Sequence, residues 1–527
     1  MNRGTAMKPS KLCRNVLFTA MISAMPLAYG AAQAAPVVLS VGMAASDLGT
    51  LDPHRGAATQ EKIVLAWIYN GLTRFAPGST DLSTIEGDLA QSWESSEDKK
   101  TWTFKLRDDV QFHGDFGKVT SEDVVFSLQR AADPARSSFS SDFANIDKIE
   151  AIDPLTVRIT LKEASNDLPY VLVGYQGGFI VSKKAVEQFG DDFRVNPVGT
   201  GPFAFDTYQA SQSVNLKAHT AYFRGTPKID RIVYRYIRSD ASRDLAYESG
   251  ELDLVYGRQD QQWANRMDKR NDTVLDIIEP AYQGSAYLNI SHKPLDDIRV
   301  RQAISHAIDT RQVVAFKGEK VAFAPTTIFP MATLGADLEA KLPQYDPEKA
   351  KELLKEAGFG NGLTIKAIQS QNITSLGPAQ IVQAQLKKVG ITLDMDVVEH
   401  ATYHQQIRQN LSDIVVYGAS RFPIADNYLK EFFHSRSAVG KPTAVTNFSH
   451  CDVADAQIDA AAKELDPAKR LALWKEAQAK IIEHVCSVPL FEQKLVWARR
   501  DTLDYGYQLE GSLSYGPLIT EQTTLKK

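Results

Sequence analysis

Across residues 101–107 apolar and polar side chains alternate without a break, with Trp102, Phe104 and Leu106 on one face and Thr103, Lys105 and Arg107 on the other. That period of two is the signature of a strand with one buried and one wet face. A polar turn at Asp98-Lys99-Lys100 precedes it, and Asp108-Asp109 closes it. Residues 155–161, after the Asp153-Pro154 turn, and residues 391–397, after Gly390, alternate in the same way. The short run Val37-Val38-Leu39-Ser40-Val41 predicts a buried strand. Elsewhere the period lengthens. Thr120-Ser121-Glu122-Asp123 offers a hydroxyl and, three residues on, a carboxylate ahead of Val124, Val125, Phe126 and Leu128, which predicts a helix start. Asp346-Pro347 opens another helix that Gly358 ends, Asp466-Pro467 opens one in the same way, and residues 381–388 read as a helix stopped by Gly390. Ala303, Ile304, Ala307 and Ile308 share one helical face. Helices and strands in alternation predict α/β lobes.

With 527 residues the chain exceeds one ordinary core, so two or three lobes are expected. Its net charge of −5 is spread along the chain with no basic block, which argues against nucleic acid as a partner. The N-terminus orders Arg3, Lys8, Lys11 and Arg14, then an apolar stretch over 16–29, then Ala31-Ala32-Gln33-Ala34-Ala35, the layout of a cleavable export signal. The mature chain is expected to begin near Ala35 or Pro36 and, lacking another apolar run of about 18 residues, to be a soluble periplasmic protein. Cys13 leaves with the signal. Cys451 and Cys486 remain, an even pair that an oxidising compartment can join, although sequence does not show that their backbones approach. Two packed thiols, or a tetrahedral zinc shell with His450 and His484, are the alternatives.

The stretch from Gly87-Asp88-Leu89-Ala90 through Ser92-Trp93-Glu94, the strand at 101–107, Asp109-Val110 and the helix opening at Thr120 closely resembles the signature region of family 5 extracellular solute-binding proteins. That peptide, opine and nickel class feeds ABC importers. The resemblance extends from about Val37 to about Trp497, and includes Tyr287-Leu288-Asn289 and the helix around Ala303. It implies an α/β, two-lobed periplasmic binding protein fold of class II, cluster C type, with an extra small domain. Residues 1–35 would be the signal peptide, 36–65 with 197–285 and 496–527 the large lobe, 66–196 the small domain, and 286–495 the other lobe, with a hinge near residue 286. The glycines and prolines of 196–203 read as a chain reversal rather than a phosphate loop.

Enzymatic chemistry is hard to find. A nucleophile with an activating partner, or a metal with enough ligands, is required. Ser96-Glu97-Asp98-Lys99 matches a Ser-x-x-Lys pattern but sits in a polar turn without the accompanying motifs. Asp394 and Asp396 alternate on a strand with Glu399 just beyond it, and the three read as a solvated face before a cation site. No catalytic residue, metal ligand or cofactor is therefore assigned. A secreted hydrolase is the rival class.

In peptide-binding members of the family, an aspartate in an Asp-Tyr-Pro-like segment holds the ligand's α-amino group. The matching segment here is Arg421-Phe422-Pro423-Ile424-Ala425-Asp426-Asn427-Tyr428-Leu429, so the aspartate position holds Arg421. A guanidinium repels an ammonium and suits a carboxylate or phosphate. The alternative is that Arg421 pairs with Asp413 or Asp426 and never meets ligand. Family position adds Tyr417 and Phe422, Ser46, Asp47 and Leu48 after the first strand, Tyr175 and Gln176 before two glycines, and Tyr282, Gln283 and Ser285 as ligand contacts. Trp263 and Trp497 are unranked candidates for the cleft wall. The implied function is capture of a peptide or peptide-like solute, anionic and opine-like on the strength of Arg421, by a monomer that delivers it to an inner-membrane ABC permease. A sugar-phosphate conjugate, a metal chelate or haem are alternative ligands.

Overall fold

Two long antiparallel strands, Thr273–Leu288 and Ser487–Arg500, run through the middle of a nine-stranded sheet. On one side lie Leu254–Tyr256, Val38–Met43, Arg231–Tyr236, Ser213–Ala218 and Phe203–Gln209 in that order, on the other lies Ile414–Ala419, and the short ninth strand Ala322–Phe323 pairs with Ser487–Arg500 off this path. This computed structural model describes residues 35–440 and 446–526, and one compact unit begins at Val37.

Each long strand spans two cores. Val496 and Ala498 pack with Trp263 and Val255, whereas Val488 and Leu490, farther up the same strand, pack with Val300, Ile365 and Ile391. The partner strand does likewise, with Leu275 and Ile277 against the first core and Ala286 and Leu288 in the second. Two strands leaving one core and entering another make a two-lobed molecule. The ladder between them slips between Ile278 and Tyr282 and again between Gly284 and Ser285. The irregularities lie just ahead of residue 286, while Ala286 itself is in regular pairing with Val416 and Val488. A bulged stretch is the place where a strand pair bends most readily, and this one lies next to the hinge expected near residue 286.

A separate four-stranded sheet, Ala90–Ser95, Thr101–Leu106, Thr156–Leu161 and Ile146–Asp153, carries the region of strongest alternation. The predicted inward residues Trp102, Phe104 and Leu106 are buried. Helix Ser121–Ala132 starts where expected, with Asp123 Oδ2 accepting from the Thr120 backbone N–H at 3.1 Å and from its hydroxyl at 2.8 Å. This sheet shares one continuous hydrophobic core with the large sheet, since Phe104 and Val157 belong to the same cluster as Leu39 and Val41. A buried polar contact reinforces the junction. Arg130 donates to Asp52 at 2.9 and 2.5 Å and to His54 Nδ1 at 2.8 Å, while His54 Nε2–H donates to the Phe179 carbonyl at 3.0 Å.

In the other lobe the parallel pair Leu363–Ser370 and Ile391–Val398 is tied to Ile414–Ala419 through Asp413 N–H to the Lys366 carbonyl at 2.9 Å. The expected helix at 381–388 begins earlier, at Ile373, with Pro378 inside it. Gly377 there lies under Phe316, whose ring stands 2.3 Å from where a Cβ would be. Cys451 and Cys486 form a disulfide with Cα atoms 5.8 Å apart, so neither is a thiolate for the alternative zinc shell. Closing a loop across 35 residues is worth about 3–4 kcal/mol in the chain-entropy picture. Among the described residues no helix is long and apolar enough to cross a membrane.

Candidate functional site

Arg421 lies in the loop between strand Ile414–Ala419 and helix Ala425–Phe433. Its backbone N–H donates to the Tyr428 hydroxyl at 2.9 Å, and its guanidinium lies 5.1 Å from the centre of the Phe432 ring. Nε donates to Glu431 Oε2 at 2.5 Å and Nη1 to the Ser420 carbonyl at 3.1 Å; neither bond uses Nη2. Tyr428, Glu431 and Phe432 are three and four residues apart, so one helical face presents all three to the arginine. The partners anticipated for a purely structural Arg421 are engaged elsewhere. Asp413 meets His292 Nδ1 at 3.0 Å and the Lys366 N–H at 2.7 Å, and Asp426 pairs with Lys430 at 2.5 Å.

The facing wall comes from the other lobe and the small domain. Lys62, on helix Thr59–Ile68, donates to the Tyr175 hydroxyl at 3.3 Å and lies 4.8 Å from the Tyr515 ring centre. Gln176 Nε2 donates to the same Tyr175 oxygen at 2.8 Å. Tyr515 reaches across to the Ser420 carbonyl at 3.5 Å. Gln176 and Tyr515 both hold left-handed backbones, with φ of 51° and 67°. Such strain persists only where the surroundings over-determine it, and it gathers at ligand sites. Here the Tyr515 carbonyl is fixed by Trp497 Nε1–H at 2.9 Å.

Charge is balanced around this gap. Burial raises Tyr175 well above an ordinary phenol; in Tyr515 burial is outweighed by Lys62, Tyr175 and Arg421, which hold the phenol down. Asp142 keeps an exposed surface, yet is pushed up to about 6 by desolvation and then by Glu431, against the pull of Arg421 and Lys62. Two cations and two carboxylates thus share one electrostatic neighbourhood. Glu431, Lys62, Asp142 and Tyr515 were not among the sequence candidates. Only Glu431 had a local signal, its place on the helical face with Tyr428 and Phe432.

The remaining candidates divide. Phe422 lies 5.9 Å from the Phe75 ring and 6.4 Å from the Tyr170 ring. Tyr417 is half-buried against Phe448, His404 and Phe432. Tyr282 lies flat over Gly418, where a Cβ would come within 2.3 Å of its ring. Gln283 and Ser285 are buried in the strand beside Tyr417, and their Oε1 and Oγ have no hydrogen-bond partner among the described residues. Asp47 is held on its own lobe by Tyr208 at 2.8 Å and Ser211 at 3.2 Å, next to exposed Ser46, while Leu48 is buried in the core. The structure does not bring these three into the Arg421 group. Trp263 and Trp497 are core residues, their indole N–H groups bonded to Asp244 and to the Tyr515 carbonyl. A cavity of about 340 Å³ among Asp309, Arg311, Tyr345 and Ser487 holds none of the candidates.

Residues 84–440 match the model of the bacterial extracellular solute-binding proteins, family 5 Middle. The chain belongs to that family. This family 5 protein is 32% identical over 508 residues to the glutathione-binding protein GsiB of Shigella flexneri serotype 5b, covering 93% of this chain and 95% of that one. Among solved structures it resembles MoaA of A. tumefaciens R10 in complex with mannopinic acid, at 50% identity and a TM-score of 0.85 over 94% of this chain and all of the other. It also resembles DppA of Helicobacter pylori in complex with the peptide STSA, at 27% identity and a TM-score of 0.79 over 93% and 98% of the two chains. The two-lobed periplasmic binding protein fold and the role of substrate-binding component of an ABC importer follow, with no catalytic step.

Proposed function

We propose that this family 5 protein captures an anionic, opine-like solute between its lobes, with Arg421 as the carboxylate anchor. The observation that carries the reading is the placement of Arg421: its plane is set by Phe432 and Glu431, Nη2 takes no part in those bonds, and Lys62 supplies a second cation from the facing lobe. A guanidinium fork recognises carboxylates bidentately, and partial burial strengthens the pair. The likeness to a mannopinic acid complex at 50% identity supports the same class of ligand. Glutathione is the second reading, favoured by the 32% identical relatives.

In this reading residues 36–65, 197–285 and 496–527 form one lobe, 66–196 the small domain and 286–495 the closing lobe, and aromatic contacts from Phe422, Tyr417, Tyr175 and Tyr282 give the solute apolar area. Residues 1–35 direct export and are removed, and the mature monomer works in the periplasm. The test is calorimetric titration with mannopinic acid, glutathione and the peptide STSA. Mannopinic acid should bind most tightly, and Arg421→Ala should weaken it at least tenfold, since a charge-assisted pair contributes about 1.5–3 kcal/mol. Equal affinity for the uncharged-side-chain peptide, with no effect of the substitution, would overturn the assignment.

A further inference from the structure

Gln283 and Glu492 face each other across the two long strands, in the short run from Tyr282 to Gly284 that lies between the two register slips. Directly opposed side chains leave an antiparallel ladder on the same face, with Cβ atoms about 4.5–5.5 Å apart. Both also reach the same loop. Gln283 Nε2 donates to the Thr327 carbonyl at 3.4 Å, and the Met331 N–H donates to Glu492 Oε2 at 3.0 Å. The two side chains are buried, Glu492 with 1% of its surface exposed. Two features do not suit a charged glutamate here. Gln283 Oε1 is a buried acceptor with no donor among the described residues, and an ionised carboxylate beside it can only accept. The carboxylate also lacks a cation of its own. The charged groups facing it are Lys494, two residues along its own strand, and Glu279 on the partner strand, and these two pair with each other at 2.8 Å. The loop over 327–331 and the strand Ala322–Phe323 carry no charged side chain. Lys317 serves Gln493, on the opposite face of the strand, at 2.7 Å. A buried carboxyl with one backbone donor and no counter-ion favours its neutral form. Desolvation, opposed by the Met331 N–H and reinforced by Glu279, pushes Glu492 up to about 7.

We propose that Glu492 holds a proton and donates it from Oε1 to Gln283 Oε1, forming a proton-held clasp between the two strands that run through both lobes. The neutral acid satisfies every partner at once. Oε2 accepts from Met331, Oε1–H donates to Gln283, and the Gln283 amide is then fixed at both ends. As pH rises through about 7 the proton leaves, a buried anion faces an acceptor oxygen, and the clasp is lost. Glu492 thereby acts as a positioning residue for Gln283 and for the strand pair beside Tyr417, so solute retention weakens above that pH. That last step rests on the proposed function; the shared proton does not.

The first arm of the test uses no solute, so its failure leaves the solute reading standing. Infrared difference spectra of the protein between pH 6 and pH 8.5 should contain a protonated-carboxyl carbonyl band, lost at the higher pH, that Glu492→Gln lacks. Glutamine is an isostere of the neutral acid, and an unaltered circular dichroism spectrum guards against misfolding. Gln283→Leu removes the acceptor and should move the same band to higher frequency. In the second arm, affinity for mannopinic acid should fall several-fold from pH 7 to pH 8.5 in the natural protein and less in Glu492→Gln. Absence of the band, its persistence in Glu492→Gln, or an unmoved band in Gln283→Leu would overturn the clasp. An equal fall in affinity in Glu492→Gln would overturn its part in retention.

Discussion

At the scale of single residues, the arginine in the aspartate position was legible and its environment was not. Arg421 could be aligned on the aromatic-Pro pair and the Asp-Asn-Tyr-Leu tail, but Lys62, Asp142 and Tyr515 reach it from positions remote in the chain, which no local pattern encodes. The same distance separates Ser46, Asp47 and Leu48 from the Arg421 group: Asp47 is bonded and Leu48 buried within their own lobe, and Ser46 is exposed beside them. The cluster makes a signed prediction about pH. Asp142 titrates near 6, so its negative charge is lost as pH falls through that value. A bound anion raises the same group further, which means that binding takes up a proton. Affinity for mannopinic acid should therefore rise as pH is lowered from 7.5 to 5.5, and Asp142→Asn should flatten the dependence. A cationic peptide should show the opposite slope. Calorimetry across that range checks both.

At the scale of elements, periodic segments were read well because burial on one face dictates the period. The strand over 101–106 and the helix caps at Thr120, Asp346 and Asp466 appear within a residue or two of their expected places. The helix from Ile373 extends farther than its local pattern predicts because Gly377 and Pro378 are local breakers, whereas the packing of Phe316 on Gly377 is a tertiary effect. No local pattern encodes the role of Leu51-Asp52-Pro53-His54 in joining the small domain to the large sheet, because its partners Arg130 and Phe179 are remote in the chain. That junction buries His54 completely, and burial first and Arg130 second hold its imidazole down at about 4. The unfolded chain takes up a proton near 6.5, so the stability that depends on neutral His54 is present above pH 6.5 and is lost as pH falls toward 4. The loss amounts to about 3 kcal/mol. Urea unfolding at pH 7 and pH 4.5 should show that fall, and His54→Gln, which keeps a donor for the Phe179 carbonyl and an acceptor for Arg130, should make it shallower. An identical fall in the variant would remove His54 as its source.

At the scale of the molecule, two long shared strands and a set of side-chain contacts between residues 66–196 and 286–495 hold the parts together. Arg470 donates to both oxygens of Asp167 at 2.9 and 2.8 Å, Asn166 donates to the Leu465 carbonyl at 3.0 Å, and Phe422 packs between Phe75 and Tyr170. These contacts join residues far apart in sequence, so the two-lobed plan was readable from family resemblance while its latch was not. A ligand shifts an open–closed equilibrium only by its differential affinity for the two states, and an ion pair broken on opening would add to the closed population in the same way. Arg470→Ala should speed ligand release several-fold with a smaller change in the association rate, measured by stopped-flow fluorescence. An unchanged release rate would show that the latch plays no part in retention.

The most direct measurement of the central claim is native mass spectrometry of the mature protein taken from its own periplasm, followed by release and identification of what it carries. A single anionic, opine-like compound, absent from Arg421→Asp protein prepared in the same way, is the predicted result. A heterogeneous set of short peptides, carried equally by the variant, would contradict it.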